Sequence, residues 1–360
     1  MKYLGIDTIT LSQAISDAGS VFPVQRDYIT AKAEAMFLRW AYAFLPVLEV
    51  HDVLEVESEF AFELLNPETG GSSKTFLEAG KKDGVLRHRA TREIKLLEHK
   101  TTSDQIGADS DYWAALVMDT QISKYIIDIS RQYPECRSVL YNVMRKPANR
   151  PLNVPVLDAD GVKQVVNLEG ERVRTKDGKK WRESASVDDG YSLITRKETP
   201  DEYYVRLHDE IESDPFNYFV QREIVRSNRD LEAYMKDAWS QSQVILYNRR
   251  NALWPKNPDA CHQYSTCEMF NLCAGRASVD GINYARKEVK HAELSEKTNS
   301  ISDKSLLTNS SLRALRKCPQ YYFLKYEEPV ERVKEDKEAL ILGNYVHAAI
   351  EAFLKPFIVQ

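Results

Sequence analysis

The sequence lacks most of what marks a secreted, membrane-bound or broadly basic protein. Cysteine is scarce: five in 360 residues, three of them inside 261–273. A secreted disulfide framework needs more cysteines, spread along the chain, so that class is excluded. The expectation is a cytoplasmic protein whose thiols are held for metal. No stretch approaches the ~20 apolar residues of a spanning helix, and no membrane association is expected. The opening "MKYLGIDTITLSQAISDAGSV" has the pattern of neither a signal peptide nor an anchor. Net charge is −5, so any DNA contact must come from local basic patches rather than a whole-chain field. There is no internal repeat. What remains is an ordinary soluble composition, 43% apolar, long enough for one large domain or two modest ones.

Hydrophobic period supplies a coarse order of elements. Residues 26–48 predict a helix ending near Pro46. Strand-like runs follow at 51–65, 74–88 and 92–102, the first two joined by the polar loop "NPETGGSS". Residues 111–130 predict a helix, 137–146 a strand, and 165–185 a basic hairpin around Asp177-Gly178. Residues 201–246 predict helix. Residues 276–305 are polar and read as a linker. "LLTNSSLRALRKCPQYYFLKY" and "EALILGNYVHAAIEAFL" predict two closing helices. The class is α/β or α+β.

The chemistry concentrates in "GKKDGVL" and "LLEHKTT". Strand alternation puts Glu98 and Lys100 on one face. An Asp83 on a neighbouring strand would complete an oxygen set suited to Mg²⁺ or Mn²⁺, with the Lys100 ammonium free to orient water or steady phosphate charge. Taken alone, an E-x-K is more often a solvated face. Gln121 and Tyr125 share a helix face at i, i+4. Gly343, His347 and Glu351 lie in one line along the last helix. A lone histidine there is usually a core residue.

Together these blocks resemble the PD-(D/E)xK nuclease superfamily, in its RecB-like branch of CRISPR-associated RecB-like exonucleases and AddB-type iron–sulfur nuclease domains. "SSLRALRKCPQYYFLKY" is similar to the family's opening helix, "LGNYVHAAIE" to its G-x-x-x-H-x-x-x-E helix, and "QISKY" to its Q-x-x-x-Y helix. The resemblance implies a restriction-endonuclease-like core, a mixed central sheet flanked by helices, with an iron–sulfur region. It implies His347, Asp83 and Glu98 as metal ligands, with the His99 backbone carbonyl as a further one. Lys100 becomes the catalytic lysine, and Gln121 and Tyr125 support the site.

Three cysteines at equal steps of six, Cys261, Cys267 and Cys273, are one short of a closed site. By the resemblance the fourth ligand is Cys318, completing a 4Fe-4S cluster. The spacing departs from the family's first C-x2-C step, and zinc suits four thiolates equally. His262 adjoins Cys261 and is poorly placed to share its ion. Cys136 reads as a core thiol.

The order of blocks also departs from the family, because the Cys-Pro and histidine helices come last. The expectation is residues 1–275 as the main nuclease part, 276–305 as linker, and 306–360 completing the same domain. That describes a circular permutation, with Met1 near Gln360; tandem truncated copies or a sequence artefact are the other readings. The implied function is a metal-dependent deoxyribonuclease, an exonuclease on single-stranded DNA ends in recombination, repair or phage DNA processing, with a helicase or recombination partner. Arg172, Arg174, Lys179, Lys180 and Arg182 around Trp181, with Arg249 and Arg250, are candidates to guide the strand. The rival is a non-catalytic DNA-binding scaffold.

Overall fold

The computed structural model describes residues 8–263, 265–333 and 338–359. Two helices, α1 (Thr8–Gly19) and α2 (Tyr28–Val50), precede the strands β1 (His51–Leu65), β2 (Ser72–His88) and β3 (Ile94–Thr102). Next come α3 (Asp111–Leu116), α4 (Thr120–Ile129) and β4 (Ser138–Arg145). An excursion carries the short strands β5 (Asn153–Pro155), β6 (Val165–Val166), β7 (Ser192–Leu193) and β8 (Thr195–Lys197). The chain returns through α5 (Pro200–Ser213), α6 (Pro215–Tyr218), β9 (Phe219–Val225) and α7 (Asn228–Asn251). Short elements follow: α8 (Phe270–Cys273), β10 (Tyr284–Arg286), α9 (Glu296–Asn299) and β11 (Ser305–Leu307). The last are α10 (Asn309–Lys317), α11 (Pro319–Tyr322), β12 (Val330–Arg332) and α12 (Glu338–Leu354).

The class is α/β. One mixed sheet runs β1-β2-β3-β4-β9, with β11 also paired to β2. Pairing is antiparallel except between β3 and β4 and between β11 and β2. Strand alternation splits the core into two layers. Leu86 and Leu97 face Trp40 and Phe44 of α2 and Val346 and Phe353 of α12. Val85 and Leu96 face Ile122, Tyr125 and Ile126 of α4 and Trp113 of α3. Among the described residues no helix is long and apolar enough to cross a membrane.

Several elements differ from the sequence expectation for identifiable reasons. Helix α2 continues past Pro46 to Val50. A proline near a helix end removes one intrahelical bond, and burial of Leu45 and Leu48 holds the last turn. The helix expected over 111–130 is broken, because the Asp119 side chain accepts from the Gln121 and Ile122 backbone N–H groups and starts α4 afresh. Inside the helix expected over 201–246 lies strand β9, paired antiparallel with β4 at the sheet's edge. Residues 276–305 are pinned rather than loose: the Glu59 carboxylate accepts from Ser295 and from the Thr298 hydroxyl, and β10 pairs with β12. The expected meeting of Met1 and Gln360 lies outside the described residues. Within them, α1 packs on α12 and on residues 355–357.

Candidate functional site

The β2–β3 ladder covers only Gly84–Arg87 against Ile94–Leu97. Past Gly84 the strands part, and β3 continues beside β4 alone. Asp83 sits at this parting and accepts a hydrogen bond from the His99 backbone N–H at 2.7 Å. Glu98 and Lys100 face the α4 side, as alternation predicts, and their side chains form an ion pair. Helix α4 closes over them. The Gln121 amide donates to Glu98 Oε1 at 2.8 Å and to the Tyr125 hydroxyl at 2.9 Å. Close packing here requires Gly80, where a Cβ would come within 2.7 Å of Phe60 and 3.2 Å of Tyr125.

The charges at this opening are poorly neutralised. Glu98 is 2% exposed. Burial pushes its carboxyl up to about 8, the Asp83 charge pushes the same way, and Lys100 offsets them only in part. Burial raises Asp83 too, against Lys100 and the His99 N–H. Burial also opposes the Lys100 charge, but Glu98 and Asp83 outweigh it and raise the lysine pKa. Glu98 Oε2 is buried with no hydrogen-bond partner. The two carboxylates are thus short of positive charge, and one of them has an orphaned oxygen.

His347 lies on α12 in the other helix layer, near enough to feel the Lys100 and Glu57 charges, and among the described residues it is not drawn with Asp83 and Glu98 into a chelating group. Burial and then the Lys100 charge hold it down to about 4, so it is neutral, the form that binds metal. A Cβ on Gly343 of the same helix would lie 3.2 Å from Thr101 Oγ1, so α12 lies close to β3. The His99 imidazole is a different matter. It points into the α2 layer, edge-on to Trp40 at 5.2 Å and Phe44 at 6.1 Å between ring centroids, and only its backbone faces Asp83. Glu351 forms an i, i+4 ion pair with Lys355 at 2.8 Å.

One acidic residue escaped the sequence reading. Glu57 stands opposite Asp83, between the pairs Val56–Gly84 and Ser58–Lys82, and pairs with Lys81. Its φ is +52°. Burial raises its pKa, Lys81 opposes, and Asp83 and Glu351 raise it further. The alternating "EVESE" of β1 carries the charge pattern, but nothing in it shows the left-handed backbone.

Cys261, Cys267, Cys273 and Cys318 line one small cavity of about 30 Å³, with Met269, Phe270 and Tyr321. Burial pushes the Cys273 thiol up, with the Cys267, Cys318 and Cys261 sulfurs adding to the rise. The Asn257 backbone N–H points to Cys318 Sγ at 3.3 Å. Among the described residues, no three His, Cys, Asp or Glu side chains are drawn into a chelating group. The thiols surround a space and do not close on one another. Cys136 is buried elsewhere, beside the Ser138 carbonyl.

Part of the basic segments is engaged within the fold. The Arg172 and Arg174 guanidinium groups lie 4.2 and 4.3 Å from the Trp181 ring centroid, and Arg172 pairs with Asp158. Arg249 pairs with Glu327 at 2.8 Å and donates to Ser305 at 3.1 Å. These groups are already engaged within the fold. Helix α10 adds exposed Arg313 and Arg316 to the cavity that Lys100 lines, with Lys317 further along toward the thiol cavity, while Leu312 and Leu315 are buried. Their helical period was visible in "SSLRALRK".

No family model, curated protein or solved structure matches this chain.

Proposed function

We propose that the chain is a metal-dependent deoxyribonuclease of the PD-(D/E)xK type, RecB-like, acting as an exonuclease on single-stranded ends. The observation that carries this reading is the half-buried Asp83 beside buried Glu98, facing Lys100 at the parting of β2 and β3, with Glu98 Oε2 orphaned. Asp83, Glu98, the His99 carbonyl and neutral His347 would hold Mg²⁺ or Mn²⁺. The bound ion supplies Lewis acidity and a water deprotonated near neutral pH. The protein does the rest. Gln121 fixes the Glu98 carboxylate by its 2.8 Å hydrogen bond. The Lys100 ammonium, beside Glu98, would orient the water and balance charge on the scissile phosphate. Burial keeps bulk water away from Glu98 and strengthens its interactions.

The thiol cavity fits a four-thiolate group by its donor set and apolar lining, either a 4Fe-4S cluster or zinc. It would staple the loop over 257–273 to the start of α11. In this reading residues 305–354 complete the domain that residues 83–125 begin. Supporting that, the Lys124 ammonium donates to the Leu307 carbonyl at 2.7 Å, and the Asn309 amide donates to Gln121 Oε1 at 3.4 Å.

The test is digestion of end-labelled single strands by anaerobically purified protein, with and without Mg²⁺ or Mn²⁺, wild type against Lys100→Ala. Metal-dependent mononucleotide release by the wild type alone is expected. Equal cleavage by Lys100→Ala overturns the assignment. Strand binding without any cleavage would move the chain to the non-catalytic scaffold reading.

A further inference from the structure

We propose that the outward face of α10 is the phosphate track along which a single DNA strand reaches Lys100; this rests on the nuclease reading above. Two open cavities meet on this helix. The first, about 1180 Å³, runs from Lys100 and Gln121 past Tyr112 to Arg313 and Arg316. The second, about 880 Å³, begins at the same two arginines and continues past Lys317 and Lys325 to Tyr321 and Asn257. Tyr321 and Asn257 also border the thiol cavity. The path therefore joins both sites across one helix face.

Its cations gather on and just after α10: Arg313 and Arg316 line both cavities, and Lys317 and Lys325 line the second, which carries one carboxylate, Asp259. The first cavity also carries Asp104, Asp109, Asp111 and Asp119, so phosphates would be held by the α10 cations and not by that cavity as a whole. Among the described residues, no carboxylate forms an ion pair with Arg313, Arg316 or Lys317. The Arg316 guanidinium donates to neutral partners, Gln241 Oε1 at 3.2 Å and the Thr120 hydroxyl at 3.4 Å, with Asp119 and Asp237 near enough to favour its charge. Strongly exposed Met118, at 82%, and half-buried Tyr112 on the same cavity offer apolar and aromatic faces to bases.

The geometry favours a lone strand over a duplex. Glu98 is 2% exposed, so a phosphate must enter the fold to reach it. A flexible strand bends into such a cavity, whereas duplex DNA stays stiff over roughly 150 base pairs.

The experiment measures anisotropy of a labelled oligothymidylate across a salt series, without divalent ion, for the full chain and for Arg313→Gln/Arg316→Gln. Each lost phosphate contact removes about 0.7 from the slope of log affinity against log salt. The double variant should therefore lose about 1.4 in slope and roughly tenfold or more in affinity at moderate salt. Arg313→Lys/Arg316→Lys should restore most of both. With Mg²⁺ present, the glutamine pair should raise KM and leave kcat nearly unchanged. A wild type that cleaves, beside a folded double variant with unchanged slope and affinity, overturns the track and leaves the nuclease reading standing. Arginine-dependent strand binding with no cleavage under any divalent ion does the reverse. Preference for duplex over single strand, or no strand binding at all, overturns the track.

Discussion

The acidic opening and the thiol cavity both draw on the C-terminal segment, yet they are built on opposite terms. At the opening, Asp83 is fixed in the β1–β2 ladder and Glu98 in the β3–β4 ladder, which hold the two against burial and mutual repulsion. At the cavity, Cys261, Cys267 and Cys273 sit on a loop and a four-residue helix, α8, and surround space without closing on it. A paired sheet can position groups that would rather separate; a loop cannot hold thiols at ligating distance by itself. The opening should thus keep its shape without an ion and bind one to relieve its charges. The cavity should take its final shape only with a bound group.

The sharpest way to break that contrast is catalysis. Lys100→Ala or Asp83→Ala is expected to lower the cleavage rate on the order of a thousandfold or more, measured as mononucleotide release with Mg²⁺. The melting transition of Asp83→Ala should change little, since strand pairing stays intact, whereas metal-free Lys100→Ala leaves buried Glu98 without its partner and should melt lower. A large fall in Tm for Asp83→Ala would show that this carboxylate is there for the fold.

At the cavity the same kind of substitution should act on the fold. Cys318→Ser and Cys267→Ser, 51 residues apart, should each remove the bound group, whether read as iron with acid-labile sulfide or as zinc. Each should also destabilise the chain by several kcal/mol through loss of the staple. Retention of the group by Cys318→Ser alone would take that residue out of the ligand set.

Much of this was legible in the sequence. Alternation in 51–65 and 92–102 fixes which face Glu98 and Lys100 share, and the i, i+4 step from Gln121 to Tyr125 places both over that face. Helix α12 follows from its apolar period, which puts His347 in line with Gly343. Local pattern could not show where strands part. Nothing in "GKKDGVL" says that the ladder with β3 ends at Gly84, although that parting creates the site. Strand β9, "FVQREIV", carries charges between its apolar residues and was absorbed into the helices around it. Pairing was equally hidden: Arg249 lies in a cationic stretch, and its engagement by Glu327, distant in sequence, is a property of the fold alone.

The contrast sharpens with pH. The folded-state pKa of Glu98 lies near 8, above its ordinary 4.5. A carboxyl raised on folding favours the folded state while protonated, so its contribution is full below about 4.5 and is lost as pH rises toward about 8. Metal-free wild type and Glu98→Gln should then melt alike near the acid end of that window. Toward its upper end the glutamine variant should be a few degrees more stable, and Mg²⁺ should recover the difference for wild type only. Parallel Tm curves across the window would mean that Glu98 is adequately neutralised without an ion.

The smallest effect separates strain from charge at Glu57. A non-glycine residue at φ +52° is strained by about 1–2 kcal/mol, because its Cβ crowds the backbone. Such strain persists where the surroundings over-determine it, often at functional sites. Here the residue lies opposite Asp83 in the ladder, and its carboxylate meets Lys81. Glu57→Gly removes the Cβ and the charge; Glu57→Gln removes the charge and keeps the strain. If Glu57 serves the opening, both variants should weaken Mg²⁺ binding by several-fold, read as the rise in Tm with added ion. Only the glycine variant should gain about 1 kcal/mol in the metal-free state. If the residue is there merely to turn the strand, glycine should stabilise by the same amount while both variants keep the wild-type response to Mg²⁺. A shared loss of ion response, with metal-free stability gained by the glycine variant alone, would assign the strain at β1 to the service of the site.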